Sequence, residues 1–194
     1  MGGVTADRPT LADLVAVLER AGAAEEPDEE VAGLTILHHG LQCAALLAAS
    51  DPDDLELQVA GLVHDVGHVL APGRADAHAA VGAAAAAPVF GARVAALIGG
   101  HVAAKRYLVS VDDSYRGELS AGSLRTLAVQ GDAMGAPEVA VFLSGHHADA
   151  TVRLRRADEA SKDPTAEVPS LDQWLAALTR LADRTRSGRA GSPR

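Results

Sequence analysis

The chain has 194 residues, of which 48% are hydrophobic and only 3% aromatic, and its formal net charge is -9 at pH 7. This length favours a single domain whose apolar core is large enough to be stable without disulfide bonds. The negative charge argues against a nucleic-acid-binding surface, which requires clustered Lys and Arg residues.

The scarcity of aromatic residues and the single cysteine restrict the protein further. A core built mainly from Ala, Leu and Val favours closely packed helices. Cys43 lies among Ala and Leu residues, which predicts a buried, inert thiol and fits a reducing compartment. The sequence shows neither a signal-peptide pattern nor an uncharged apolar run of about 18 residues. We therefore expect a cytoplasmic protein without membrane contact, either a monomer or a small homo-oligomer.

Apolar residues recur with helical spacing along most of the chain and nowhere alternate as in a strand, so the predicted fold is all-α. Thr10 is positioned to cap the first helix, and Gly22 to end it. Asp51, followed by Pro52, has the form of an N-cap. Helices are predicted over residues 10–20, 34–49, 52 to the His-Asp pair, 76–87, 90–104, 119–131, 137–144, 148–162 and 171–181.

These helices are predicted to form one domain over residues 10–184. A polar lead-in over 1–9 precedes it, and a disordered tail over 185–194 follows it. Pro88 is predicted to stop the helix before it, because proline cannot donate the helical hydrogen bond. The acidic residues 25–30 are interpreted as a solvated loop.

The stretch from His64 to His68 is the first candidate functional site. His64 and Asp65 are adjacent and could grip one metal if the helix loosens there, which we attribute to Gly67. His68 stands four residues after His64, on the same helical face and about 5–6 Å away between Cβ atoms. His68 could therefore reach whatever the metal binds.

Further candidate ligands lie on other predicted helices, so that five helices contribute to one set. Four imidazoles and two carboxylates suit iron, manganese or zinc. A shared carboxylate can hold two cations close together, and Asp65 is the natural bridge. The candidate ligands are His39, His64, Asp65, His78, His101 and Asp158. A single His, a His-Asp pair and a terminal Asp form the signature of HD-domain metalloproteins, and two extra His residues imply a second metal.

The second half of the chain resembles a narrower group, the phosphonate-cleaving HD-domain oxygenases related to myo-inositol oxygenase. The similarity spans roughly residues 34–180. It is carried by a Lys four residues after a His, as in His101 and Lys105, and by an Arg-x-x-Asp ending, as in Arg155 and Asp158. The segments around Ser123 and Gln130 add to it.

The resemblance implies an HD domain with a mixed-valent pair of iron ions, Fe(II) and Fe(III), at its centre and O2 as co-substrate. Its implied substrate is a small organophosphonate. One iron would be held by His39, His64, Asp65 and Asp158, and the other by Asp65, His78 and His101. Substrate contacts would fall on His68, Lys105, Ser123 and Arg155, with His68 and Lys105 as catalytic residues.

The resemblance has one departure. Members that act on amine phosphonates carry a tyrosine and a glutamate about ten and seven residues before the first His. Glu29 and Ala32 stand at those positions here. Either Glu29 or Glu30 takes the place of the acid, or the amine site is absent.

The leading hypothesis is an oxygenase that cleaves the C–P bond of a 1-hydroxyphosphonate with O2, releasing phosphate and a carbonyl or carboxylate product. The alternative is a metal-dependent HD phosphohydrolase acting on a phosphomonoester or nucleotide. Lys105 favours the first, and the lack of an aromatic cluster for base stacking disfavours a nucleotide. A non-enzymatic regulatory HD module would be expected to lack ligands, and all six are present.

Overall fold

The computed structural model describes residues 8–25 and 31–190. Within these ranges the regular structure is helical, apart from one isolated β-bridge between Glu25 and Thr35. The predicted all-α fold is therefore confirmed. The helices are α1 (Leu11–Ala21), α2 (Ile36–Ser50), α3 (Leu55–Val63), α4 (Val66–Leu70), α5 (His78–Phe90), α6 (Ala92–Val111), α7 (Tyr115–Glu118), α8 (Ala121–Val129), α9 (Ala136–Leu143), α10 (Ala148–Ala160) and α11 (Leu171–Ala190).

Some of the sequence predictions fall on residues outside these ranges. Most of the lead-in over 1–9 and most of the acidic loop over 25–30 belong to them. Glu29 and Glu30, the candidate acids for an amine substrate, are among these residues. Ala32 is described and is exposed.

Helix α3 lies at the centre of the molecule. It is apolar on nearly every side, and all its residues except Glu56 are buried. A helix of this kind must be covered all round by other elements. Helices α2, α5, α6, α10 and α11 provide that cover. The two residues that follow α3, His64 and Asp65, are thereby delivered to the interior.

Two glycines allow the helices around α3 to approach closely. A Cβ atom on Gly40 would lie 2.4 Å from the carbonyl oxygen of Leu62, so only glycine lets α2 meet α3 at this distance. A Cβ atom on Gly67 would lie 1.9 Å from the carbonyl oxygen of His78. Gly67 therefore permits backbone contact between α4 and α5. The backbone leaves helical geometry at Asp65, where φ is −104° and ψ is 9°. Gly67 lies within α4, so the attribution of this loosening to Gly67 is wrong.

The ends of the first helices show one prediction confirmed and one corrected. Thr10 caps α1 with a capping box that involves Asp13, and Gly22 is its C-cap, as predicted. The cap of α3 is Asp54, whose carboxylate accepts from the amide of Leu57 at 3.1 Å, instead of Asp51. Pro52 lies in the turn before this cap.

Three later helices are longer than predicted. Helix α5 passes through Pro88 and ends at Phe90, where Gly91 adopts a φ of 91°. The predicted stop at Pro88 is therefore wrong. Helix α6 continues to Val111 instead of ending at residue 104. Helix α11 continues to Ala190, so residues 185–190 of the predicted disordered tail are helical.

Helix α6 is long and apolar enough to cross a membrane by length and composition alone, a test that core helices of soluble proteins also pass. In this protein it packs against α3, α5 and α10. Its buried face includes His101 and Lys105. These contacts account for its apolar composition and place two candidate site residues in the interior.

Candidate metal centre

The six predicted ligands converge on one buried region beside the end of α3. His39 comes from α2, His78 begins α5, and Asp158 lies on α10. His64 ends α3, and Asp65 precedes α4. All six side chains are at most 8% exposed: His39, His64, Asp65, His78, His101 and Asp158.

Four of these side chains surround one point, which we call the first position. His64 Nε2 lies 3.2 Å from His39 Nε2 and 3.2 Å from Asp65 Oδ2. Asp158 Oδ1 lies 3.3 Å from His39 Nε2 and 3.7 Å from His64 Nε2. Two ligand atoms about 2.1 Å from one ion, at tetrahedral or octahedral angles, are roughly 3.0–3.4 Å apart. Most of these separations fall in or close to that range.

His78, His101 and the other carboxylate oxygen of Asp65 surround a second point, which we call the second position. His78 Nε2 lies 3.0 Å from His101 Nε2. Asp65 Oδ1 lies 3.5 Å from His78 Nε2 and 3.7 Å from His101 Nε2. Asp65 thus directs one carboxylate oxygen to each position, which is the arrangement of a bridging ligand. His68 Nε2 is 4.0 Å from the same Oδ1.

The other ring nitrogen of each candidate His ligand points to a backbone carbonyl. A carbonyl only accepts hydrogen bonds, so each Nδ1 carries the proton and each neutral ring keeps its Nε2 lone pair for a metal. The contacts are His39 to Ser161 at 2.9 Å, His64 to Gly61 at 2.8 Å, His78 to Ala75 at 2.7 Å and His101 to Ile98 at 2.6 Å.

Two observations show that this donor set fits metal ions. Asp65 Oδ1 is buried and has no hydrogen-bond partner among the described residues. An unpartnered buried carboxylate oxygen is costly unless a cation meets it. The Nε2 atom of His39 faces that of His64, and the Nε2 atom of His78 faces that of His101. In neutral rings protonated at Nδ1 each Nε2 is an acceptor, so the two atoms of a pair cannot bond to each other. A cation between them resolves both conflicts.

The ionised carboxylates and the neutral His101 match a metal site, whereas His64 would have to release a proton to bind a metal. Burial opposes the charged forms, but Asp65 and Asp158 raise the pKa of His64 well above its usual value. Against the same burial, Arg155 and His64 hold the pKa of Asp158 well below its usual range. For His101 burial prevails and lowers the pKa to about 3. The site therefore offers ionised carboxylates and, at His101, a neutral imidazole.

A cavity of about 60 Å³ opens beside the second position. Pockets for drug-sized ligands measure roughly 300–1,000 Å³, so this one suits a much smaller molecule. On one side it is lined by Asp65, His68, His78, His101 and Asp158. On the other it is lined by Lys105, Gly122, Ser123, Thr126, Gln130, Arg155 and Lys162. Helix α8, which supplies Gly122, Ser123 and Thr126, carries none of the six candidate ligands.

Lys105 is the buried cation of this cavity that lacks an acidic partner. Its Nζ donates to Thr126 Oγ1 at 2.9 Å and contacts the carbonyl of Ser123 at 3.5 Å. Burial, together with the nearby Arg155, lowers the pKa of Lys105 to about 8. Among the described residues it forms no ion pair. An anion in the cavity would supply the missing negative charge.

Arg155 is buried, but its donors are directed to protein groups. Its Nε donates to the Tyr115 hydroxyl at 2.8 Å, and its two Nη atoms donate to Asp158 and Glu159. The resemblance implied a substrate contact for Arg155. The structure pairs its guanidinium with Asp158 and Glu159, whose side chains are only 6% and 9% exposed.

The remaining predicted site residues lie at the cavity. Ser123 is buried, and its hydroxyl donates to Glu159 at 2.9 Å. His68 stacks on His78 with the ring centroids 4.2 Å apart. Burial, with Asp65 opposing it, lowers the pKa of His68. Both side chains therefore stand where a ligand of the second position would extend.

The sequence assigned no role to several residues that the structure brings to the site. Glu159 and Lys162 follow Arg155 and Asp158 at a spacing of four, a helical signal that would have found them. Gln130 lines the cavity, and its buried Oε1 has no partner among the described residues. Tyr115 lies on α7, between the helices predicted over 90–104 and 119–131, and nothing in the sequence marks it.

The remaining three histidines lie apart from the two positions. His38 Nε2 contacts the carbonyl of Ala166 at 3.0 Å. His146 and His147 lie in the turn before α10. Cys43 is fully buried, and burial raises its pKa to about 12, which fits an unreactive thiol.

Comparison with known proteins adds to this geometry. No family model matches the chain. Over 156 residues, 76% of each chain, it is 38% identical to the hydroxymethylphosphonate dioxygenase of Gimesia maris. Over 167 residues it is 31% identical to the [1-hydroxy-2-(trimethylamino)ethyl]phosphonate dioxygenase (glycine-betaine-forming) of Leisingera caerulea, covering 81% of this chain and 85% of the relative. The chain therefore belongs to the family of phosphonate-cleaving oxygenases of HD type.

Proposed function

We propose that the protein is an O2-dependent oxygenase that cleaves the C–P bond of a 1-hydroxyphosphonate. The observation that carries this proposal is the position of Lys105, a buried cation without an acidic partner, in a small cavity beside the second position. A phosphonate is a compact dianion that would satisfy this charge. Both relatives are named as dioxygenases of hydroxyphosphonates.

We further propose that the two positions would hold iron, as a mixed-valent Fe(II)/Fe(III) pair for which Asp65 would be the bridge. The buried, unpartnered Oδ1 of Asp65 supports this bridge. The first position is assigned to His39, His64, Asp65 and Asp158, and the second to Asp65, His78 and His101. Iron bound there would supply O2 activation and Lewis-acid binding of substrate oxygens.

The residues of the cavity have distinct roles in this proposal. Lys105 neutralises the phosphonate by a charge-assisted hydrogen bond, and Ser123 lines the cavity beside it, where its hydroxyl would have to turn from Glu159 to donate to a phosphonate oxygen. His68 stands beside Asp65 and His78, where it can orient the substrate at the second position. Arg155 lines the same cavity, and its charge is paired with Asp158 and Glu159.

The overall reaction balances with one O2 for each phosphonate. For hydroxymethylphosphonic acid, addition of O2 gives one formic acid and one phosphoric acid. The C–P bond breaks, and carbon and phosphorus each gain one new oxygen, while O2 is fully reduced. A hydrolase would instead take the new oxygen of phosphate from water.

We expect iron-loaded protein to release phosphate and consume O2 in equal amounts when given a 1-hydroxyphosphonate. With ¹⁸O-labelled O2, the carbon product should gain one labelled atom. The measurement combines an oxygen electrode, a phosphate assay and mass spectrometry of the carboxylate. Anaerobic incubation of the same preparation is the control. Phosphate release that persists there, with its new oxygen from water, would assign the protein to the hydrolases instead.

We expect the protein to prefer non-amino substrates. Asp65 and Asp158 are the acids that line the cavity among the described residues, and both are assigned to metals. Ala32, at the position of the family's amine-binding acid, is exposed and uncharged. Hydroxymethylphosphonate should therefore exceed 2-amino-1-hydroxyethylphosphonate in kcat/KM by about tenfold or more. A preference for the amine would instead assign its recognition to Glu29 or Glu30.

The remaining assignments complete the proposal. We propose that residues 10–184 form a single HD domain, supported by the helices that converge on the His64-Asp65 pair. A cytoplasmic location is supported by the single, buried Cys43. The proposed partner is a small organophosphonate, and a monomer or small homo-oligomer remains the prediction.

A further inference from the structure

Arg155 stands between two carboxylates and a phenol in a buried network. Its Nε donates to the Tyr115 hydroxyl at 2.8 Å, one Nη donates to Asp158 Oδ2, and the other donates to Glu159 Oε2. Arg155 is 4% exposed, and Tyr115 is 1% exposed. A guanidinium held from three directions at this depth has little freedom to turn towards a ligand.

The network determines which oxygen of Asp158 faces the first position. Oδ2 accepts from Arg155, whereas Oδ1 lies 3.3 Å from His39 Nε2 and 3.7 Å from His64 Nε2. If Arg155 could rotate away, the carboxylate would lose the contact that fixes its plane. The orientation of this ligand therefore depends on whatever fixes Arg155.

Tyr115 and Glu159 are the groups that fix it. Tyr115 packs in an apolar cluster with Leu108, Leu119 and Leu127, so its hydroxyl is held in place. Glu159 also accepts from the amide of Ser120 at 3.0 Å and from the Ser123 hydroxyl at 2.9 Å. A carboxylate anchored by these additional donors keeps its oxygen in place opposite Arg155.

We propose that Tyr115 and Glu159 are positioning residues that hold Arg155 against Asp158 and so determine how tightly the first position, but not the second, retains its metal. This inference rests on the proposed metal centre, and it does not depend on the identity of the substrate. The second position offers the contrast, because its ligands His78 and His101 make no described contact with Tyr115, Arg155 or Glu159.

The test measures iron retention by Tyr115→Phe and Glu159→Gln in the full chain. Both variants keep the shape of the side chain and remove one hydrogen-bonding group or one charge. Iron-loaded proteins are exposed to an Fe(II) chelator under anaerobic conditions, and iron per chain is measured over time. Tyr107→Phe, at the chain's other tyrosine, and Glu19→Gln, at an exposed acid of α1, are the matched controls.

We expect the chelator to remove one of two irons from both variants faster than from wild type and to leave the other, because loss of a ligand's hydrogen-bonding support typically lowers metal affinity about 10- to 100-fold. When each is combined with His78→Ala, which disables the second position, the remaining iron should be lost at the faster rate. The controls should behave as wild type, and thermal unfolding should show that all variants are folded.

Equal retention in variants and wild type would overturn the inference. So would loss of both irons in parallel with a lower unfolding temperature, which would indicate a general structural role. Wild-type protein that binds no iron would overturn it together with the proposed centre. If wild type retains iron but releases no phosphate from any hydroxyphosphonate, the proposed reaction fails, while selective loss of one iron in the variants still supports the inference.

Discussion

Asp65→Asn is expected to lower the iron content from two per chain to one or fewer and to reduce phosphate release by more than about 100-fold. Asp65 directs one oxygen to each position, so this single residue serves both. An amide cannot supply two anionic oxygens, because one of its two terminal groups is an NH2 donor. The loss should exceed the 10- to 100-fold effect typical of removing a ligand's hydrogen-bond partner. Metal analysis and a phosphate assay measure both effects.

The control for this substitution is Asp53→Asn, which makes the same chemical change at an exposed position in the turn before α3. It should leave iron content and activity unchanged. If Asp65→Asn retains two irons and releases phosphate at the wild-type rate, the two positions are not bridged by this carboxylate.

Lys105→Ala is expected to raise the KM for the phosphonate while iron content stays near that of wild type. The Lys105 ammonium faces the cavity and contacts Thr126 and Ser123, and it touches no proposed ligand. Loss of one hydrogen bond to a charged group costs about 1.5–3 kcal/mol, or roughly 10- to 150-fold in affinity. Arg125→Ala, on the solvent-facing side of α8, is the control. An unchanged KM would place the anion elsewhere.

The same residue should give the reaction a characteristic pH dependence. Burial and Arg155 lower the pKa of Lys105 to about 8. A lysine is charged below its pKa, so phosphonate binding should be strong below about pH 8 and weaken as the pH rises through it. Because kcat/KM reports ionisations of the free enzyme, kcat/KM should fall as the pH rises through about 8. In Lys105→Arg the fall should disappear, because arginine remains charged.

The placement of His68 and Lys105 beside candidate ligands could be anticipated from the sequence because it depends on helical spacing. His64 and His68, and likewise His101 and Lys105, stand four residues apart and share a face in any helix. The depth of Arg155 could not be anticipated in this way. A buried and an exposed Arg-Glu pair at this spacing look identical in sequence, and only the contact of Arg155 with the buried Tyr115 of α7 separates them.

The errors at the helix ends have a related cause. Pro88 was expected to stop α5, but it lies in the last turn, where its ring removes a single helical hydrogen bond. The last four carbonyls of any helix need donors from outside it. Arg189 provides them, donating to the carbonyls of Ala87 and Pro88 at 2.7 and 2.9 Å. The same contact anchors the end of α11, which composition alone marked as disordered. A bond between residues about a hundred positions apart leaves no local pattern in the sequence.

The separation of α8 from the metal ligands has a consequence for how such an enzyme can be altered. The wall formed by Gly122, Ser123 and Thr126 belongs to a helix that contributes no candidate ligand. Mutational libraries restricted to this helix and to Gln130 can therefore sample new substrate shapes without touching the residues that would hold the metals. The residues proposed to hold the metals and this wall of the cavity thus lie on separate helices, so the shape of the cavity can change through one short segment.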